Sequence, residues 1–259
     1  MTDSLYRQLA DEILQARAQV RAVEPFSTRY PQLNMADAYA IQSRVNQQRF
    51  AQGQRLVGYK IGLTSEAVQQ QLGVNEPDFG VLFAGMELRS SQSVPTADLI
   101  APKAEGEIAF VFKKDLTQAD LTFSELLSAI DYFQPVIEIV DSVVRDWKIT
   151  IVDTVADNAS SALYMLGEKF FDPRGVDFAD LALTIRGPAG EVSGRGAACL
   201  GNPLNATWWL ARKMAELGTP IQAGQLVLSG AMAPMVNITA GAEIEFDFAG
   251  LDRLKLIAD

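Results

Sequence analysis

Two glutamates separated by one glycine, Glu105 and Glu107, stand directly before an apolar run from Ile108 to Phe112. The run is rich in β-branched and aromatic residues, so it predicts a buried strand. Residues i and i+2 of a strand point to the same face, so the two carboxylates would project side by side. Two like charges this close raise one pKa unless a cation lies between them.

A third glutamate, Glu138, lies within the apolar run from Pro135 to Asp141, which predicts a second strand. An all-carboxylate set suits a hard divalent ion such as Mg²⁺ or Mn²⁺. In a plainer alternative, Glu105 and Glu107 lie on a solvated strand edge and Glu138 pairs with a lysine or arginine. Spacing alone does not separate the two interpretations, because buried glutamates are rare but structural ion pairs also occur.

Two further residues are candidates for acid–base work. Lys60 lies between two glycines in an apolar run, residues 56–64, that reads as a strand. It is either an edge lysine that snorkels to water or a desolvated amine that holds a carboxylate or moves a proton. Asp78 lies in the predicted loop 75–80, either as a turn-former or at the lip of a pocket.

Two segments have the composition of site-lining loops. Residues 152–161 are small and polar with no helix or strand period, which fits either a site-lining segment or a loop of Asx turns. Residues 225–231 predict a buried strand that runs into the turn Ser229-Gly230-Ala231, whose backbone N–H groups could hold an anion.

Composition excludes several classes of protein. The 259 residues carry a net charge of −10, which argues against nucleic acid or an anionic membrane as a partner. There is no histidine, which removes serine and cysteine triads and histidine-ligated zinc. The one cysteine, Cys199, cannot form an internal disulfide and is expected to be a packed residue in a reducing compartment. Without a signal peptide or spanning segment in the sequence, we expect a cytoplasmic protein.

The elements that must position these residues fall into two parts. We predict a helical N-terminal segment at 1–55, with one helix over 4–23 and a second that starts at Asn34 or Asp37 and ends before Gly53. Residues 56–259 form a β-rich catalytic domain. The helices and strands predicted in that domain lie at 64–73, 122–130, 181–186, 203–217, 242–249 and 253–257.

Several motifs together resemble the hydratase and decarboxylase branch of the fumarylacetoacetate-hydrolase superfamily. The resemblance covers nearly the whole chain and keeps the order and spacing of the motifs. They are residues 58–65, 73–80, 105–107, 135–138 and 145–160. The resemblance implies an α+β fold, a mixed β-roll or sandwich with a helical N-terminal segment, and a homo-oligomer.

The resemblance also implies roles for single residues. Glu105, Glu107 and Glu138 match the metal carboxylates of the family, with Mg²⁺ or Mn²⁺ as the cofactor. Lys60 matches the active-site lysine, and Asp78 matches an acidic residue of the hydratases that the decarboxylases replace with an apolar one. The candidate substrate contacts are Ser160, Ser229 and Gly230.

One departure from the family pattern reduces the number of reactions that the chain is expected to catalyse. Where relatives often carry Gly-His-Pro, this chain has Gly201-Asn202-Pro203. The hydrolase branch of the superfamily activates water with a Glu–His pair, so a chain without histidine does not fit that branch.

The resemblance then implies addition of water to 2-hydroxypenta-2,4-dienoate to give 4-hydroxy-2-oxopentanoate, a step of aromatic meta-cleavage catabolism. The alternative is decarboxylation of 4-oxalocrotonate on the same metal platform, and a third possibility is a non-catalytic subunit that supports a complex. The expected partners are a small 2-keto or 2-hydroxy acid and an aldolase or another enzyme of the pathway.

Overall fold

The computed structural model describes residues 2–65, 69–70 and 74–259. The helix predicted from Thr64 to Gly73 lies largely outside these residues. The α-helices of the described part are α1 (Asp3–Ala18), α2 (Phe26–Arg29), α3 (Met35–Ala51), α4 (Phe123–Ala129), α5 (Ile151–Ala156) and α6 (Pro203–Glu216).

The strands form two sheets that enclose the main apolar core. Their bounds are β1 (Leu56–Gly62), β2 (Asp78–Phe83), β3 (Glu87–Leu88), β4 (Lys103–Phe112), β5 (Ile130–Val140), β6 (Ser161–Leu166), β7 (Ala182–Gly187), β8 (Gly190–Arg195), β9 (Leu226–Leu228), β10 (Val236–Asn237), β11 (Glu243–Phe248) and β12 (Asp252–Ile257). The larger sheet has the order β2-β1-β9-β4-β5-β6-β3, with β10 on β4, and the smaller has the order β12-β11-β7-β8. The larger sheet is mixed, because β1 pairs with β9 and β3 with β6 in parallel. The α+β class and the mixed β core are therefore confirmed.

One glycine lets the smaller sheet approach the strand that carries the paired glutamates. A Cβ on Gly106 would lie 2.5 Å from Leu183 Cδ2 and 3.1 Å from Phe246 Cδ1. Only the absence of a side chain allows this contact. The glycine between the two glutamates thus packs one face of β4 while the glutamates occupy the other.

The N-terminal helices have a core that they share with a later segment. Apolar side chains of α1 and α3, such as Leu9, Ile13 and Ile41, cluster with Val144 and Val155. Helix α3 begins after Asn34, whose side chain accepts a hydrogen bond from the Asp37 N–H in a capping box. Helix α1 ends at Ala18, earlier than the 4–23 prediction. No helix in the described ranges is long and apolar enough to cross a membrane.

Two local predictions were wrong. Asp78 is the first residue of β2, paired with Gly62, and does not lie in a loop. Residues 151–156 are helix α5 and not an irregular segment, with Asp153 completing a capping box on Thr150. Several buried positions of this helix are polar, among them Asp153 and Thr154. The sequence therefore lacks the helical spacing of apolar residues that would have indicated the helix.

Candidate active site

Three glutamates meet on one face of two paired strands. On the antiparallel pair β4 and β5, Glu105 lies directly opposite Glu138, and Glu107 follows two residues along β4. One carboxylate oxygen from each lies within 4.8 Å of the others. Glu107 and Glu138 are buried and Glu105 is partly exposed. The alternative that places the Glu105–Glu107 pair on a solvated edge is therefore wrong, although Glu138 does pair with a lysine, as that alternative also proposed.

Two of the three carboxylates have buried oxygens without a hydrogen bond. Glu107 Oε2 accepts a hydrogen bond of 2.7 Å from the Gly230 N–H, whereas Glu107 Oε1 and both oxygens of Glu138 are buried without a hydrogen bond. Burial raises the pKa of all three groups, that of Glu138 to about 7, and the charges of Glu138 and Glu105 raise that of Glu107 further. Orphaned buried carboxylate oxygens cost free energy unless a cation satisfies them. The donor set fits a hard divalent ion.

Lys60 is the cation beside this cluster. It lies in β1, between β2 and β9, and is 3% exposed, so it does not snorkel to water. Its Nζ is 3.3 Å from Glu138 Oε2 and donates a hydrogen bond of 3.3 Å to the Ala159 carbonyl oxygen. Burial alone lowers the pKa of Lys60, but the surrounding carboxylates, led by Glu138, raise it above its ordinary value. The side chain is therefore an ammonium.

Asp78 approaches the same place from β2. It is 1% exposed, and its Oδ1 has no hydrogen-bond partner. A Cβ on Gly62 would lie 2.2 Å from that oxygen, so the glycine makes room for the carboxylate. Burial raises the pKa of Asp78 to about 6, against the opposing charge of Lys60. Asp78 is therefore mostly ionised at neutral pH and can accept a proton.

A cavity of about 770 Å³ opens over these groups. Lys60, Asp78, Glu105 and Ser160 line it. Ser229 and Gly230 lie behind this surface. Ser229 is fully buried with an unpartnered hydroxyl, and Gly230 gives its N–H to Glu107. The Gly230 N–H, which was predicted to hold an anion, thus donates to the Glu107 carboxylate of the protein itself.

The sequence did not single out several residues that line the cavity, among them Lys103, Arg195 and Met235. Thr64, Trp147 and Thr154 also line it, and they lie in segments that the sequence marked without assigning them individual roles. Lys103 stands two residues before Glu105 on β4, so strand periodicity alone could have placed it on the same face. Its Nζ lies 4.5 Å from the centroid of the Trp147 ring, a cation–π contact. No local signal marked Met235.

Cys199 and Asn202 lie near the site but have structural contacts. Cys199 is fully buried, burial raises the pKa of its thiol, and its Sγ donates to the Gly230 carbonyl oxygen at 3.0 Å. Asn202 caps α6, because its side chain accepts a hydrogen bond of 2.9 Å from the Leu204 N–H. Asn202, which stands where relatives often carry histidine, therefore serves as the N-cap of this helix.

Comparison with known proteins places this geometry in a family. Residues 57–256 match the family described as fumarylacetoacetate (FAA) hydrolase C-terminal. The chain is 46% identical over 256 residues to a 2-keto-4-pentenoate hydratase of Paraburkholderia xenovorans (strain LB400), covering 98% of this chain and 95% of that protein. It is 41% identical over 249 residues to a 2-hydroxyhexa-2,4-dienoate hydratase of Comamonas testosteroni, covering 94% of each.

A solved structure shows the same fold over the full length. The 4-oxalocrotonate decarboxylase of Pseudomonas putida G7, complexed with magnesium and adipate, superposes with a TM-score of 0.95 at 31% identity, covering 100% of this chain and 99% of that one. A second structure of that enzyme is complexed with calcium and acetate. Both complexes contain a hard divalent ion and a carboxylate.

Proposed function

The chain belongs to the fumarylacetoacetate hydrolase family, and we propose that it is a metal-dependent hydratase that adds water to 2-hydroxypenta-2,4-dienoate to give 4-hydroxy-2-oxopentanoate in the meta-cleavage catabolism of aromatic compounds. One observation carries the proposal. Three glutamates, two of them with unpartnered buried oxygens, meet beside Lys60 and Asp78, and Lys60, Asp78 and Glu105 line one cavity. The hydratase names of the relatives at 46% and 41% identity support hydration.

Glu105, Glu107 and Glu138 are the residues that would hold Mg²⁺ or Mn²⁺. When bound, the ion supplies a Lewis acid for the 2-keto acid group and balances the negative charge that develops on its oxygen. Gly230 keeps Glu107 oriented through its N–H. The donor set contains no nitrogen or sulfur, which fits a hard ion.

The reaction needs a proton donor and a base for water. Protonation of the dienol at C5 gives 2-oxopent-3-enoate, and water then adds at C4 while C3 gains a proton. The Lys60 ammonium can hold the substrate carboxylate or give a proton, but its raised pKa does not suit a base. Asp78, with a pKa of about 6, is placed to orient the water and take its proton.

Decarboxylation of 4-oxalocrotonate is the second candidate. The solved decarboxylase with adipate, a dicarboxylate, superposes closely. A second substrate carboxylate needs a second cation, and Lys103 and Arg195 both line the cavity. Asp78 argues for hydration, since decarboxylation requires no base for water. A purely non-catalytic subunit would have no use for a buried acidic cluster that costs stability.

The test is an ultraviolet assay. Purified protein is given freshly generated 2-hydroxypenta-2,4-dienoate with Mg²⁺ or Mn²⁺, with and without EDTA. We expect metal-dependent loss of the dienol absorbance and 4-hydroxy-2-oxopentanoate as the product. Absence of hydration together with CO₂ release from 4-oxalocrotonate would assign the protein to the decarboxylases. Absence of both reactions would favour the non-catalytic subunit.

Assembly, location and domain roles belong to the same proposal. We propose a cytoplasmic homo-oligomer that associates with an aldolase or another enzyme of the meta-cleavage pathway, which would consume the 4-hydroxy-2-oxo acid. Residues 56–259 carry the chemistry, and residues 1–55 support it through the core shared with 143–156. Light scattering on the purified protein, alone and mixed with an aldolase, would test the assembly.

A further inference from the structure

Three successive residues, the last two of which line the cavity, have left-handed backbone. Asn158, Ala159 and Ser160 have φ of 58°, 52° and 53°. Non-glycine residues adopt this region rarely, and a run of three is rarer still. Such backbone persists only where the surrounding structure holds it. The turn presents the Ala159 carbonyl to Lys60 Nζ and exposes Ser160 to the cavity.

The Asn158 side chain fixes this turn to a neighbouring strand. Its Oδ1 accepts from the Val81 N–H at 2.8 Å, and its Nδ2 donates to the Val81 carbonyl oxygen at 2.9 Å. Strand β2 is an edge of the larger sheet, so the amide takes the place of a further strand at this point. A Cβ on Gly80 would lie 2.4 Å from the Asn158 carbonyl oxygen, so the close approach needs glycine there.

A partly buried ion pair holds the residue before the turn. Arg17 of α1 donates to Asp157 Oδ1 at 2.7 Å and to the Asp141 carbonyl oxygen at 2.9 Å. Asp157 Oδ2 accepts from the Val143 N–H at 3.0 Å. The turn is thus fixed on one side by Asn158 on β2 and on the other by Asp157, which connects it to the N-terminal helices.

We propose that Asn158 is a positioning residue of the reaction. By holding β2 with both ends of its amide, it keeps the 158–160 turn left-handed, and the turn holds the Lys60 ammonium against Glu138 through the Ala159 carbonyl. This inference rests on the proposed function, in which Lys60 holds the substrate carboxylate or gives a proton. Asn158 does not touch the substrate and acts through Lys60.

The experiment compares two variants at this position with a matched control. Asn158→Ala removes both hydrogen bonds, and Asn158→Gly removes them while leaving a residue that adopts left-handed φ freely. The control is Gln42→Ala. The Gln42 amide is also buried and donates to the Phe79 carbonyl at 2.9 Å and to the Val155 carbonyl at 3.0 Å, so it ties β2 to α5 without touching the turn. The readouts are kcat, KM, Mn²⁺ affinity and the melting temperature.

We expect all three variants to melt earlier than the wild type. Only the Asn158 variants should lose kcat, by about 100-fold, because displacement of a reacting group by roughly 1 Å has that effect. Their kcat should fall by a larger factor than KM rises. They should bind Mn²⁺ at least as tightly as the wild type does, because the three glutamates are held by the β4–β5 pair.

Two results would overturn the inference. One is full kcat in Asn158→Gly, which would show that backbone conformation suffices without the amide contacts. The other is an equal loss of kcat in Gln42→Ala, which would reduce Asn158 to a general stabilising contact. If the wild type itself does not hydrate the dienoate, the proposed function fails separately. Crystal structures of the two Asn158 variants then decide the inference: a displaced Ala159 carbonyl and Lys60 Nζ support it, and an unchanged pair overturns it.

Discussion

At the scale of single residues, the site is a problem of charge balance. The Lys60 ammonium faces Asp78 and three glutamates, two of them buried, and it lies 3.3 Å from Glu138 Oε2. A divalent ion among the glutamates would compete with Lys60 for Glu138. Lys60 should therefore weaken metal binding slightly while it serves the substrate.

Replacing Lys60 separates these two effects. In Lys60→Met we expect turnover to fall by about 10²-fold or more, the range for a lost acid–base group, while Mn²⁺ binds at least as tightly as in the wild type. Electron paramagnetic resonance measures free Mn²⁺, and the dienol assay measures turnover. Lys213→Met is the control, because Lys213 pairs with Glu76 away from the cavity and should change neither quantity. Loss of Mn²⁺ binding in Lys60→Met would contradict this account of the charges.

The sequence predicted the glutamates of the site but not the contacts between residues from distant parts of the chain. Strand periodicity placed Glu105 and Glu107 side by side, and the apolar run around Glu138 indicated its burial. The partners came from distant parts of the chain. Asn158 bonds to Val81 across 77 positions, and Lys60 to Ala159 across 99. Local periodicity cannot report such pairings, because the fold alone brings these residues together.

At the scale of elements, strand β1 depends on two glycines that flank Lys60. A Cβ on Gly58 would lie 2.0 Å from the Leu226 carbonyl oxygen on β9, which is rigid backbone. The three atoms nearest to a Cβ on Gly62 all belong to the Asp78 carboxylate, which is the end of a side chain and can move. The same substitution should therefore have different consequences at the two positions.

Gly58→Ala should lower the free energy of unfolding by about 1–3 kcal/mol, the usual cost of overpacking, because β1 and β9 must separate. Gly62→Ala should change stability little and reduce kcat, because it displaces Asp78. Chemical denaturation and the dienol assay, run well below either melting temperature, distinguish the two outcomes. Full turnover in Gly62→Ala would remove Asp78 from the proposed mechanism.

Element prediction succeeded where side-chain periods were clear. The strands around Glu105, Glu138 and Lys60 and the helix after Pro203 were all predicted, and the structure confirms them. Asp78 was assigned to a loop because Pro77 and Asn75 are turn-forming residues, but pairing with β1 extends the strand to Asp78. Helix α5 was missed because its buried face includes the polar residues Asp153 and Thr154. Tertiary contacts bury them, and these contacts cannot be read from the local sequence.

At the scale of the whole molecule, the larger sheet holds the acidic cluster together through its β4–β5 pair. Burial raises the pKa of Glu138 to about 7, from an ordinary value of 4.5. Between these pH values, the folded protein binds more protons than the unfolded chain. Its free energy of unfolding must then fall as pH rises through this window.

In EDTA we therefore expect stability to decrease from about pH 4.5 to about pH 7, by roughly 1.4 kcal/mol for each unit of pKa shift. Mg²⁺ binds the ionised carboxylates, so it should stabilise the protein most at the upper end and flatten the pH dependence. The chain has no histidine, so no imidazole titrates in this window. Urea denaturation across this pH range measures the effect. Glu138→Gln is the control, because it removes the titrating carboxyl and should reduce the slope of stability against pH. Equal slopes with and without Mg²⁺ would show that the cluster does not bind the ion.

The most direct measurement of the central claim is Mn²⁺ binding and hydration, followed together in the wild type and in Glu107→Gln. The account predicts one Mn²⁺ per wild-type chain, loss of hydration when EDTA removes it, and a parallel loss of Mn²⁺ affinity and turnover in Glu107→Gln. This residue is buried, touches Gly230 and belongs to the cluster of three glutamates. Full hydration by Glu107→Gln at micromolar Mg²⁺ would contradict the assignment of the metal site.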